Sequence, residues 1–225
     1  MKRVYIVVEG QTEQEFVNSM IAPYLRNFAI YSITPVLIRT SRSGRGGMIN
    51  YRHLQNTVSM LLQSAQTDFV VTTFIDFFRI PDTMPKYHEC MAKLDDMQRI
   101  EALEKAINEN ISDNRFFSYI QLHEFEALLF SDNKGFESYF AGNEAEQTSA
   151  IIAAYENPED INSSPEGAPS KRLLSIKPDY NKVLEGNLIA LEIGINVILE
   201  KCPRFAEWMN EIVKLCRDQD VTAHD

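Results

Sequence analysis

KRVYIVVEGQTEQEFVNSMIAPYL (residues 2–25) decides the fold. Its opening run, KRVYIVV, is β-branched and aromatic with no polar alternation, the pattern of a strand buried on both faces. Glu9-Gly10 breaks the run. Thr12 then opens a helical stretch in which Phe16, Val17, Met20, Ile21 and Leu25 share one apolar face. The alternation continues outward. Residues 33–38 (ITPVLI) read as a second strand, placed at a sheet edge by Pro35, which has no N–H to give a ladder. Residues 41–47 (SRSGRGG) form a loop, 51–62 a helix, and 68–75 (DFVVTTFI) a third strand. A β-α-β-α-β order with short connections implies a parallel sheet with right-handed crossovers, and so the α/β class.

Farther along, 80–86 is a loop containing prolines, 90–110 a charged amphipathic helix, 116–122 a fourth strand and 124–130 a short helix. Beyond about residue 140 the strand signal fades. Helices are expected at 144–155, 170–176, 186–199 and 204–217, with a turn-rich loop at 157–169 and a fraying acidic tail after 217. The expected organisation is an α/β core over 1–140 with a helical region over 141–225 packed on it. Trp208, with Phe205 and Met209, is expected in the core of the last helices.

The chain has 225 residues, 44% hydrophobic and 24% charged, which fits a globular protein and excludes disordered and collagen-like chains. No apolar run approaches the roughly 20 residues that span a bilayer, and the N-terminal run lacks a small-residue cleavage site, so no membrane partner or leader is expected. Cys90, Cys202 and Cys216 are an odd number with no C-x-x-C pair, which points to reduced thiols and a cytoplasmic setting. The net charge of -10 opposes general adhesion to polyanions. Between Glu15 and Asp68, however, there is no acid, and Arg26, Arg39, Arg42, Arg45 and Arg52 all fall there. A polyanion partner is expected to meet that segment.

Ligands of open parallel sheets bind beyond the carboxyl ends of the strands. Those ends carry Glu9, Asp76 and the pair His123-Glu124, with Glu13 one helical turn past Glu9. Oxygen ligands converging from separate strands suit a hard divalent ion such as Mg2+ or Mn2+. Each acid also has a plainer use, as a helix cap or a solvated charge, and Glu13 near a helix N-terminus suits the macrodipole. In the 41–47 loop, Gly44, Gly46 and Gly47 allow backbone N–H groups to approach a phosphate, and Arg42 and Arg45 add bidentate donors. The alternative is a surface loop with incidental arginines. Lys171 and Arg172 are a second phosphate candidate and Lys182 a weaker one; all three have surface ion pairs as the alternative. Asp95-Asp96 reads as solvated helix charge. There is no Walker A motif and no G-x-S-x-G elbow.

VVEGQTEQEF (residues 7–16) resembles the first motif of Toprim domains, above all those of the overcoming-lysogenization-defect (OLD) nucleases, and TTFIDFF (72–78) takes the place of their strand ending in D-x-D. More closely, VEGQTE, SRSGRGGMINY, TTFIDFFRIPD, YIQLHEFEALLFSD, GAPSKRL and DYNKVLEG resemble the Toprim-like bacterial family DUF4276 over nearly the full length. The resemblance implies a Toprim-like core. It also implies metal-dependent phosphoryl transfer, most concretely a nuclease acting on DNA or RNA, in a bacterial defence or repair system with an ATPase encoded nearby. Glu9 then matches the general acid/base or metal-ligand glutamate, Glu13 the second glutamate, and Asp76 the first aspartate of D-x-D. The second aspartate is replaced by Phe78, which cannot bind a cation. Glu124 or Glu126, with His123, can take its place from the fourth strand, while His123 has a packed core histidine as its alternative. The runner-up reading is a catalytically degenerate Toprim-like protein that binds nucleic acid or the ATPase.

Overall fold

The structure is a computed structural model and describes residues 3–38, 48, 50–64, 68–161 and 167–217. The expected loop at 41–47, the middle of the turn-rich loop (162–166) and the tail after 217 lie outside these residues.

Strands β1 (Arg3–Val8), β2 (Ser32–Leu37), β3 (Phe69–Asp76) and β4 (Phe116–Phe117) form a parallel sheet in the order β2-β1-β3-β4. The α/β reading holds, and Pro35 lies on an edge strand as expected. The unbroken apolar runs are explained by the two layers that cover the sheet. From β1, Val4, Ile6 and Val8 enter one core and Val7 the other; from β3, Val70 and Phe74 enter the first, and Phe69, Val71 and Ile75 the second. The second core is closed by α3 (Tyr51–Leu62) and α5 (Asp96–Ile111). The first contains the face of α1 (Gln11–Phe16), which a π turn (Val17–Ile21) carries into α2 (Ala22–Arg26), and it runs on to Cys216 of the last helix. All three cysteines are buried free thiols.

Three expected elements are divided in the structure. The 90–110 helix is α4 (Tyr87–Met91) and α5, parted because Asp95 caps α5, accepting from the Gln98 N–H at 2.8 Å. Asp95 is thus a cap and not merely a solvated charge. The 116–122 strand is β4 and β5 (Ile120–Gln121), both paired with β3. Between them the Thr73 hydroxyl donates to the Tyr119 carbonyl and accepts from its N–H, both at 2.7 Å, and so replaces the ladder. The 186–199 helix is α9 (Glu185–Ile193) and α10 (Ile195–Lys201), hinged at Gly194, whose φ of 82° ends one helix and starts the next.

The remaining helices are α6 (Lys134–Glu137), α7 (Gly142–Ala154), α8 (Pro169–Ile176) and α11 (Pro203–Arg217). A 3-10 helix (Phe125–Ser131) joins β5 to α6. Helix α11 docks on β3 through Trp208, which stacks on Tyr119 with ring centroids 4.6 Å apart and donates its indole N–H to Thr72 Oγ1 at 2.9 Å. This accounts for a threonine in the middle of a central strand. Glu159, fully buried in the 3-10 turn Pro158–Asp160, accepts from the Arg204 and Phe205 N–H groups and so caps α11.

Burial raises the Glu159 carboxyl to about 7 from its ordinary 4.5, despite those two N–H donors. Between those values the unfolded chain releases a proton that the folded chain retains, so this group's contribution to stability falls as pH rises from about 4.5 to about 7. Denaturant titrations across that window should show the wild type losing stability relative to Glu159→Gln; parallel pH profiles would refute the assignment.

Candidate functional site

Strands β1 and β3 are neighbours with Val8 paired to Phe74, so the residues that follow them emerge side by side. Glu9 leaves β1 and its Oε1 accepts from the Met48 N–H at 3.0 Å. Gly10 comes next, and its N–H donates to Glu13 Oε2 at 2.9 Å, the half of a capping box that a glycine permits. A Cβ at position 10 would stand 3.0 Å from that oxygen. The glycine therefore lets the glutamate fold back over the strand end. Asp76 closes β3, and its Oδ1 accepts from the Phe125 N–H at 3.0 Å, which fixes the start of the 3-10 helix. One residue on, the carboxylate of Glu126 is fully buried.

Lys182, in the segment between α8 and α9, joins these groups. Its Nζ lies 3.1 Å from Glu126 Oε2, 3.5 Å from Glu13 Oε1 and 3.6 Å from Asp76 Oδ2. Three carboxylates carried by three separate elements thus converge on one cation. The segment is held in place locally. Glu185 forms an ion pair with Lys177 and accepts the Asn181 N–H, while Asn187 of α9 donates to the Thr12 carbonyl of α1.

The electrostatics follow from the burial. Desolvation raises the carboxyls of Glu9, Asp76 and Glu126; Lys182 opposes it in all three, and in Asp76 the neighbouring acids Glu13, Glu9 and Glu126 add to it. Burial acts to lower the Lys182 ammonium, but Asp76, Glu126 and Glu13 outweigh it and hold that group well above the ordinary lysine value. The balance is incomplete at Glu126, whose carboxylate oxygens, among the described residues, have no side-chain partner beyond the Lys182 ion pair. Among the described residues, no set of three or more His, Cys, Asp and Glu side chains is arranged to hold a metal ion. The donors are hard oxygens of the kind Mg2+ and Mn2+ take, but an ammonium stands where they meet.

The other candidates are placed differently. Glu124 is tied to α8, accepting from Ser170 N and Ser170 Oγ, both at 2.9 Å. His123 is 6% exposed and lines a separate cleft with Phe77, Phe78 and Arg79; burial lowers its pKa, with Asp96, Asp160 and Glu124 opposing. Arg172 donates to the Gly167 carbonyl at 2.8 Å and lies over the Tyr155 ring, and Lys171 is exposed. Arg42, Arg45, Gly46 and Gly47 lie outside the described residues. Sequence reasoning ranked Lys182 low. Its only signal was its place in DYNKVLEG, one of the stretches that carry the family resemblance.

A family model described as a domain of unknown function, DUF4276, matches residues 8–213. The chain belongs to this family. The span matched in this DUF4276 protein includes Glu9, Glu13, Asp76, Glu126 and Lys182. No curated protein matches. Among solved structures, the chain is similar to the C-terminal region of the Xanthomonas campestris pv. campestris OLD protein, at 14% identity and a TM-score of 0.47, covering 100% of this chain and 99% of that one. It is also similar to the C-terminal region of the Burkholderia pseudomallei OLD protein, at 15% identity and a TM-score of 0.45, covering 95% and 99%. Among the described residues, no helix is long and apolar enough to cross a membrane.

Removing the cation should leave buried carboxylates uncompensated. Lys182→Met is expected to destabilise the protein at pH 8 by about 1–3 kcal/mol, less than for a fully buried pair because the lysine side chain is 36% exposed. The loss should shrink towards pH 5 as the carboxyls of Asp76 and Glu126, both raised by burial, take up protons. A loss that is equal at both pH values, measured by chemical denaturation, would contradict the coupling.

Proposed function

We propose that this protein is a metal-dependent phosphoryl-transfer enzyme, a nuclease acting on DNA or RNA, with its chemistry at the ends of β1 and β3. The observation that carries the reading is the convergence of Glu13, Asp76 and Glu126 on a single cation position, with Glu9 beside them at the end of β1. Four acids so close cost stability, and three of them have carboxyls raised by burial. A cluster of that kind at the carboxyl ends of parallel strands is where function tolerates strain.

Glu9, Glu13, Asp76 and Glu126 would hold Mg2+ or Mn2+, with the lysine withdrawn from their midst. A divalent ion so bound lowers the pKa of water and neutralises charge on a phosphate oxygen. The chain's own groups supply the rest. Glu9, whose carboxyl burial raises from its ordinary value, is the group that would pass a proton to a leaving oxygen. Lys182 has side-chain area open to solvent, so its ammonium can pair with a phosphate instead of the carboxylates. Phe78 at the second D-x-D position leaves Glu126 as the fourth acid, delivered from the 3-10 helix beyond β5 instead of from β3. An ATPase working beside this protein in a defence or repair system belongs to the same proposal.

One observation favours a second reading. Lys182 already supplies a cation to the carboxylates, as expected of a degenerate site in a protein that only binds nucleic acid or an ATPase. Cleavage assays separate the two. With Mg2+ or Mn2+ the wild type should cut DNA or RNA, and Glu9→Gln and Asp76→Asn should each reduce the rate by about a hundredfold or more. Variants that cut at the wild-type rate would overturn the catalytic assignment, and a wild type that binds strands but never cuts them would leave the binding reading.

A further inference from the structure

The cleft that contains His123 is not used by the carboxylate chemistry, yet its lining begins with Phe77, the residue after Asp76. It has a volume of about 250 Å³, just below the roughly 300–1,000 Å³ of pockets that take drug-sized ligands, and so suits a single aromatic ring system. Phe78 and Arg79 line it together, with the Arg79 guanidinium 5.2 Å from the Phe78 ring centroid. Its polar edge comes from the buried His123 imidazole and from Asp96, which pairs with Arg99 at 2.6 Å.

The backbone here is strained. Arg79 has φ 61° and His123 φ 65°, both left-handed and neither a glycine. The two are braced against each other, since the Phe78 N–H donates to the His123 carbonyl at 2.8 Å and the Phe77 N–H to the Gln121 carbonyl at 3.0 Å. The strain turns the chain at both residues, and both line the same cleft. An aromatic face, a planar cation and hydrogen-bonding edges in one ring-sized space are the surfaces by which proteins hold an unpaired base.

We propose that this cleft binds the nucleobase of the nucleotide whose phosphate meets the carboxylate cluster, with the base stacked on Phe78 and its edge towards Asp96 and His123. The ligand class is therefore a nucleotide with an unpaired base, either free or within a single strand. This rests on the phosphoryl-transfer reading for the placement of the phosphate, but not for the binding of the base.

The test is fluorescence anisotropy with fluorescein-labelled oligo(dA) in EDTA, with AMP as competitor and the matching duplex as comparison. Phe78→Leu should weaken oligo(dA) binding by about tenfold, the scale of one base stack, and leave duplex binding unchanged. Phe78→Tyr should restore it, and unchanged thermal melting of Phe78→Leu would show an intact fold. Competition by AMP would identify free nucleotides as ligands; tight strand binding without it would identify the single strand, and both outcomes support the cleft. Wild-type affinity in Phe78→Leu, or no binding of either probe by the wild type, would overturn the inference. Phe78-dependent binding in a protein that cuts nothing would remove the phosphoryl-transfer reading alone.

Discussion

The Lys182 ammonium is the interaction on which the arrangement at the sheet edge depends. Glu13, Asp76 and Glu126 come from the first helix, the central strand and the 3-10 helix beyond β5, and each points to the same nitrogen. Without a cation between them, like charges a few ångströms apart and largely out of water would drive the three elements apart or force protonation. The lysine thus joins the helical C-terminal part of the chain to the strand ends by charge, while Trp208 joins it to β3 by packing and a hydrogen bond.

The parallel core and most of the strand-end acids were legible in the sequence, because a doubly buried strand writes its state into consecutive residues. KRVYIVV and DFVVTTFI could be read without tertiary information. Glu9 and Asp76 followed from the rule that parallel sheets bind ligands beyond their carboxyl ends. Glu126 was one of two alternatives to the missing aspartate, and only the geometry separates it from Glu124, which is occupied with the N-terminus of α8.

Lys182 stood out least in the sequence, as a weak phosphate candidate, and the reason is physical. It lies in a short non-helical segment with no periodicity, and its partners are tertiary neighbours far away in the chain. The divided elements were more nearly readable. Gly194 inside an apolar helix marked a hinge, and Thr73 inside a central strand marked a side chain able to replace a ladder hydrogen bond. The left-handed residues Arg79 and His123 gave no signal, because arginine does not favour that conformation and a histidine, though enriched in it, does not specify it.

On the proposed function, the carboxylates form a cation site for which Lys182 and a divalent ion compete. Its most direct test is calorimetric titration of Mn2+ into wild type, Lys182→Met and the double variant Lys182→Met/Glu126→Gln. Weak binding is expected of the wild type, tighter binding once the lysine is gone, and loss of that gain when Glu126 is neutralised. Failure of Lys182→Met to bind Mn2+ more tightly than the wild type would contradict it.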